Sequence, residues 1–555
     1  MSTAEPILPT AREPSRSPSR LAWLIDRWTQ RVEPVLERWS EWLNPILVKE
    51  SRQALKSRQF TITFTLLLVC AWCWSFLSVF MQMPDIYYTD AGLSVLVGYY
   101  VILAVPLLLV VPFTTFRSLA AEREDGTYEL LSISTLTSRQ IVLGKLNSAL
   151  LQMMVYYSAL APCIAFTYML RGVDILFIAL MLLYTFVISV ILSCIGLVIA
   201  GLSRSRHLQS LLSVILLIGL IFFTFIWTVF VANMLDSGIE SLPYYDWEFW
   251  AVQGALITAA ACYIWLLIEI AAAQNSFDSD NRSTRIRVVM TVQTTLFVGW
   301  VTWGWIYIGD VEFMVAMMIL AMMHWFVYSV FLAAESPQLS PRVRRNLPQT
   351  FLGRTLFTWY NPGSGSGYMF ALSHVGLLAL ICVGAAVIQR ELGWPNPRWT
   401  RPASITSRYT SMIGFAAAYI SSYVGLGRLV YLKVPQRERY GMVLAVLIQL
   451  LVMLAGAGVP YFIEAWANRF RLFSYSPWQA TNWSWTLYEC MDKGISYGEV
   501  YVVVVGLTIL VLLMNLLQLR TEIQVVRAAT PDRVLVDDGH VPETDEVIKI
   551  DPLAP

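Results

Sequence analysis

Side chains able to do chemistry are few among the 555 residues and unevenly placed. The chain has four His, at 207, 324, 374 and 540. His324 and His374 lie inside apolar runs with no Asp or Cys at ligand spacing, so they are expected as helix–helix hydrogen-bonding groups rather than metal ligands, and no metal site is expected. The seven Cys are Cys70, Cys73, Cys163, Cys194, Cys262, Cys382 and Cys490. Cys70 and Cys73 form a C-x-x-C inside TLLLVCAWCWSFL, a continuous apolar stretch that gives no redox partner access, and no disulfide framework follows.

The most informative charged stretch is FRSLAAEREDGTYELLSISTLTSRQIVLGKL, residues 116–146. Its chemistry is ion pairing rather than catalysis. Glu122, Glu124 and Glu129 are an acidic group with Arg123 among them, Glu122 to Leu131 can form a short helix, and Gly126 permits a break there. Thr137 or Ser138 can cap the helix that follows. A second charged stretch, NPILVKESRQALKSRQF, has Pro45 near a helix start and runs directly into an apolar segment. Neither stretch is a phosphate cradle: Gly144-Lys145 is followed by Leu146, so no G-x-x-x-x-G-K-[ST] is present. NPGSGSG at 361–367 lacks the Lys and a preceding strand, and reads as a flexible turn.

These residues are set among helices in a chain 57% hydrophobic and 14% charged, with mean hydropathy +0.58. That composition excludes a soluble enzyme, a DNA binder and a disordered scaffold. Lys plus Arg, 39, nearly cancels Asp plus Glu, 38, so no nucleic-acid partner is expected. Met1 to Arg58 is charged and has no apolar signal core. Stretches long enough for about 30 Å of hydrocarbon begin near residues 60, 94, 146, 174, 208, 250, 288, 312, 368, 408, 440 and 498. The fold class is therefore all-α, a polytopic membrane bundle of about twelve transmembrane helices preceded by amphipathic interfacial helices.

The organisation expected along the chain is a disordered N-terminus (1–20), amphipathic and connecting helices (21–59), a six-span unit (60–275), a second six-span unit (276–520) and an acidic disordered tail (521–555). Acidic connections at 83–93 and 236–249 alternate with basic ones carrying Arg117, Arg123, Arg139 and Lys145, then Arg204 and Arg206, then Arg282, Arg285 and Arg287. The positive-inside rule then puts both termini in the cytoplasm. The connection at 389–408, expected outside, dissents with Arg390, Arg398, Arg401 and Arg408. Glu269 and Glu464, near span ends, are expected at headgroup level, with a substrate-path lining as the alternative.

The two charged stretches resemble those of the ABC-2 family of ABC transporter permeases over about residues 42–275. In that family an amphipathic connecting helix precedes the first span, and an E-R-E-x-G-T-x-E…LGK segment between spans two and three docks on an ATPase. The resemblance assigns Asn44, Pro45, Lys49, Glu50 and Arg52 to the connecting helix. It assigns Glu122, Arg123, Glu124, Gly126, Thr127, Glu129, Gly144 and Lys145 to the coupling segment. It implies an exporter subunit of the cell's inner (plasma) membrane that is not itself an enzyme. No cofactor would sit in this chain, ATP being bound by a partner ABC ATPase subunit.

A further echo lies in the second half. Leu332-Ala333-Ala334-Glu335 repeats Leu119-Ala120-Ala121-Glu122, and Leu352-Gly353-Arg354 parallels Leu143-Gly144-Lys145, which would make Glu335, Gly353 and Arg354 a second coupling loop. A tandem repeat would let one chain supply both halves of a pore. Otherwise spans seven to twelve are accessory and the first six pair with a second permease copy. Two other function classes stay open: a membrane anchor or sensor of an envelope complex working with an ATPase, and a membrane-embedded lipid-modifying enzyme, for which the sequence offers no converging catalytic cluster.

Overall fold

A computed structural model describes residues 45–83, 91–126, 136–170, 173–202, 206–236, 242–277, 279–336, 339–345, 347, 350, 352–353, 357–395, 403–435, 437–471, 474–495 and 497–522. The expectations for residues 1–43, Asn44, Thr127, Glu129, Arg204, Arg354 and the acidic tail fall outside these residues. Every described element is helical, and the chain is a multi-pass membrane protein. Among the described residues eleven helices are long and apolar enough to cross a bilayer. A twelfth, Thr284–Ile308, is 25 residues long but too polar to satisfy that criterion. It carries Arg285, Arg287 and Gln293, and it turns through Gly309 (φ 78°) and Asp310 straight into the next helix. The helices thus fall at the twelve places where the apolar runs begin.

Contacts divide the chain into two compact units, Met1–Glu240 and Ser241–Pro555. The first holds a short helix α1 (Pro45–Leu55) and five long ones: α2 (Arg58–Gln82), α3 (Gly92–Glu124), α4 (Ser138–Met169), α5 (Ile175–Gly201) and α6 (Arg206–Asp236). The second begins with α7 (Trp247–Gln274), α8 (Thr284–Ile308), α9 (Val311–Ala333) and α10 (Ser364–Leu392), and continues with α11 (Ala403–Lys433), α12 (Arg437–Ala467), α13 (Trp483–Asp492) and α14 (Gly498–Glu522). The boundary differs from the six-plus-six division expected from the sequence. Helix α7 packs along α8, so it joins the C-terminal helices and the long helices divide five to seven.

In the first unit α3 and α5 make the closest pair. A Cβ on Gly196 of α5 would stand 2.9 Å from the Pro112 carbonyl oxygen of α3, so glycine is what lets the backbones approach. One π-helical turn, Pro106–Val110, interrupts α3 where two prolines remove hydrogen-bond donors. Ser189 of α5 donates to the Leu107 carbonyl there at 2.5 Å, so a polar side chain serves backbone loosened by the bulge.

The second unit has one large apolar core in which α9, α10 and α11 interdigitate around Trp325, Phe370 and Tyr419. Into it dips the stretch between α12 and α14. Tyr409 near the start of α11 bonds Glu312 at the start of α9 (2.6 Å), marking one end of the bundle. Ten and fourteen residues further down α11, about 15 and 21 Å along its axis, the hydroxyls of Tyr419 and Tyr423 donate to the carbonyls of Ala480 and Thr481 at 2.5 Å each. Trp483 reaches the Met453 carbonyl in mid-α12, and α13 climbs back until the Arg408 guanidinium bonds the Asp492 carbonyl (2.8 Å). Residues 474–492 are therefore a re-entrant hairpin, which membranes tolerate only where protein satisfies its backbone. Tyr423→Phe removes one such donor and should lower the unit's stability by about 1–3 kcal/mol. A melting curve of the solubilised protein coinciding with wild type would rule out that role for the hydroxyl.

Candidate coupling site

The charged stretches meet at the last turn of α3. The sequence suggested a separate short helix from Glu122. Instead Glu122, Arg123 and Glu124 continue the spanning helix itself, which stops at Asp125 and Gly126, the latter at φ 70° where a side chain would be strained. The next described helix, α4, opens with a capping box. Thr137 accepts from the Gln140 amide, and the Gln140 side chain accepts from the Thr137 amide (2.9 Å), so the cap expected at Thr137 or Ser138 falls on Thr137.

Two turns into α4, Lys145 is buried, its side chain 1% exposed. An ammonium there needs partners, and it has two carboxylates, Glu122 of α3 at 3.0 Å and Glu50 of α1 at 3.1 Å, with the Ser118 carbonyl at 3.3 Å. Helix α1 packs along α4, where Gly144 is also buried, and Lys49 stands 3.9 Å from Glu122 at the rim. The two stretches that carry the resemblance, 72 positions apart at Glu50 and Glu122, are thus joined through one lysine.

The other residues of this turn reach different helices. Arg123 Nη1 donates to the Gly201 carbonyl at the end of α5 (3.0 Å), and Arg206 at the start of α6 donates to the Glu124 carbonyl (3.2 Å). One helical turn therefore touches α1, α4, α5 and α6. The Glu124 side chain is 26% exposed and 4.0 Å from Arg117, the loosest pair of the group. Sequence reasoning missed the Arg123 and Arg206 bonds. Their only signal was two arginines at connections whose ends fold together.

Glu335 has a different setting from Glu122. It accepts from the buried Arg287 (2.7 Å), from Ser283 (2.6 Å) and from the backbone amide of Gly363 (2.8 Å). Its base comes from the preceding helix α8, whereas the base of Glu122 comes from the following helix α4, so the local echo of LAAE does not extend to the pairing. The Gly353 amide donates to the Thr350 hydroxyl (3.1 Å).

Two sequence expectations are corrected here. Arg287 is not a loop charge, being fully buried in α8. The NPGSGSG stretch is not a flexible turn: Gly363 to Gly367 are buried and open α10. The free amides of that helix start meet carboxylates from both sides, Glu335 on Gly363 and Glu522 of α14 on Gly365 (2.9 Å). Glu522 is itself paired with the buried Arg428 of α11 (2.5 Å), which also bonds Ser364 (2.8 Å) and Asn515 (2.7 Å). A Cβ on Gly367 would fall 2.5 Å from the Leu332 carbonyl oxygen, so the small residues serve close packing rather than phosphate binding. The findable signal was Arg428 inside an apolar run, an expensive residue in a membrane helix.

His324 bonds the Tyr263 hydroxyl of α7 at 3.0 Å, as expected of a helix–helix residue, whereas His374 stacks on Trp325 with ring centres 4.3 Å apart. Glu269, five residues before the end of α7, is buried against protein. Glu464 accepts from Gln479 of the re-entrant hairpin (2.5 Å). Among the described residues no His, Cys, Asp and Glu converge as a metal site. The chain finds no match among protein-family models, curated proteins or solved structures.

Proposed function

We propose that a chain whose connecting helix, third-helix end and fourth helix are clamped on one buried lysine is the membrane-spanning permease subunit of an ABC-2 type exporter. In this reading it sits in the inner membrane with both termini cytoplasmic and performs no catalysis itself. A separate ATPase subunit binds ATP and docks at the connection that follows Glu124. The supporting observation is the last turn of α3, from which bonds run to α1, α4, α5 and α6. A displacement applied there would move the ends of five helices together, because packed, bonded elements shift as bodies.

The test is affinity purification of the tagged chain from its native membrane, asking whether a P-loop ATPase accompanies it. Within that complex Glu124→Lys reverses the least engaged carboxylate of the turn. Exposed pairs are worth at most about 1 kcal/mol, so the chain should still fold. The loss of ATPase association and of transport-coupled hydrolysis is the expected result. Wild-type values of both in Glu124→Lys would eliminate the coupling role of this turn.

A further inference from the structure

Helix α1 looks mixed in charge as a sequence, with Lys49, Glu50, Arg52, Lys56 and Arg58 in ten residues. Folding separates the signs. Glu50, the single acid, turns inward to Lys145 (3.1 Å), while Lys49, Arg52, Lys56 and Arg58 remain exposed. Backbone bonding continues past α1, the Lys56 amide reaching the Arg52 carbonyl at 3.2 Å. Positions 49, 52 and 56 therefore share one stripe within about 60° of arc. Exposed Gln53 lies beside them.

The place of this stripe is fixed by its neighbour. Ser57 alone stands between Lys56 and α2, capping α2 by accepting from the Phe60 amide (3.1 Å). Since α2 is a spanning helix with Arg58 as its first residue, the stripe lies at the level where hydrocarbon gives way to headgroups. Lysine and arginine at that depth lay their stems on apolar surface and present charge to the headgroup layer.

We propose that α1 is an anionic-lipid binding surface, its exposed basic stripe taking the phosphate groups of acidic phospholipids in the leaflet at the N-terminal end of α2. The partner is set by charge: Lys49, Arg52, Lys56 and Arg58 are exposed while Glu50 turns inward to Lys145, and among the described residues only Lys49 of the four approaches a carboxylate, Glu122 at 3.9 Å. Each basic group near an acidic surface raises local occupancy roughly fivefold, and the effect should fade as salt shortens the screening length. This does not depend on the exporter reading, because the chain alone in a bilayer suffices.

The experiment uses the full chain with the photoreactive residue p-benzoylphenylalanine replacing Gln53, reconstituted without ATPase in vesicles of phosphatidylcholine and phosphatidylglycerol at equal mole fraction. After irradiation, mass spectrometry of the α1 peptide counts each lipid adduct. Phosphatidylglycerol adducts should exceed phosphatidylcholine adducts by roughly fivefold or more. That ratio should fall toward unity in high salt and in the variant Arg52→Gln, Lys56→Gln, Arg58→Gln, which leaves the Lys145 clamp intact. Equal adducts in the otherwise unaltered chain would overturn the proposal, as would crosslinking only to a second copy of the protein.

Discussion

Arg428→Met is expected to destabilise the second unit by about 3–5 kcal/mol, the range for breaking a buried pair and leaving its partner uncompensated. The arginine side chain is fully buried, and its loss strands the Glu522 carboxylate, only 9% exposed, beside the start of α10. It also removes the donors held by Ser364 and Asn515. For a unit of this size the shift in melting temperature should be roughly 10 °C. Because the penalty belongs to the orphaned charge, adding Glu522→Gln should recover a large part of it. An amide can still accept from Gly365 without carrying charge. If the double variant melts lower than Arg428→Met alone, the penalty lies elsewhere and the pair is not its source.

Lys145→Met carries the second large effect, and here stability and function should separate. Removing the ammonium leaves Glu50 and Glu122, each about 3 Å from it now, facing one another without a counter-charge. The buried-pair range of about 3–5 kcal/mol applies again, and the element released is α1, which packs on α4 at this point. Combining Lys145→Met with Glu50→Gln and Glu122→Gln removes the repulsion and should restore much of the melting temperature. On the proposed function it should not restore ATPase-coupled transport, since the charge link between α1 and α3 is still gone. A triple variant with full coupling would show that the clamp is structural only.

How far these sites could be read from the sequence depends on the range of the interaction. Apolar runs mark helices because hydrocarbon thickness imposes their length, and even α8, too polar for a strict hydropathy criterion, was visible from its length and position. Lys145, Glu122 and Glu50 were visible as candidates through motif resemblance. That they form one cluster was not, because it requires knowing that α1 folds back onto α4. The Gly/Ser stretch at 361–367 misled for a physical reason. Small residues read as flexible when their surroundings are unknown, yet here they admit the Leu332 carbonyl and two carboxylates. The re-entrant hairpin was hidden because its backbone is satisfied by tyrosines some 60 positions away, a pairing with no local signature. The five-to-seven division was also out of reach, since an apolar helix says nothing about which neighbours it chooses.

The Arg428–Glu522 bond also sets an order for biosynthesis. The two partners are 94 positions apart, and Glu522 is the final residue of the last described helix. At ribosomal rates, that distance corresponds to roughly 5–20 s of synthesis. Throughout that interval the Arg428 guanidinium and the Gly365 amide lack their carboxylate, and the start of α10 has only Glu335, on Gly363. The unit cannot close helix by helix as it leaves the translocation machinery. It must wait for α14, so a chain truncated before Glu522 would present an unpaired charge to quality control however well its earlier helices had inserted.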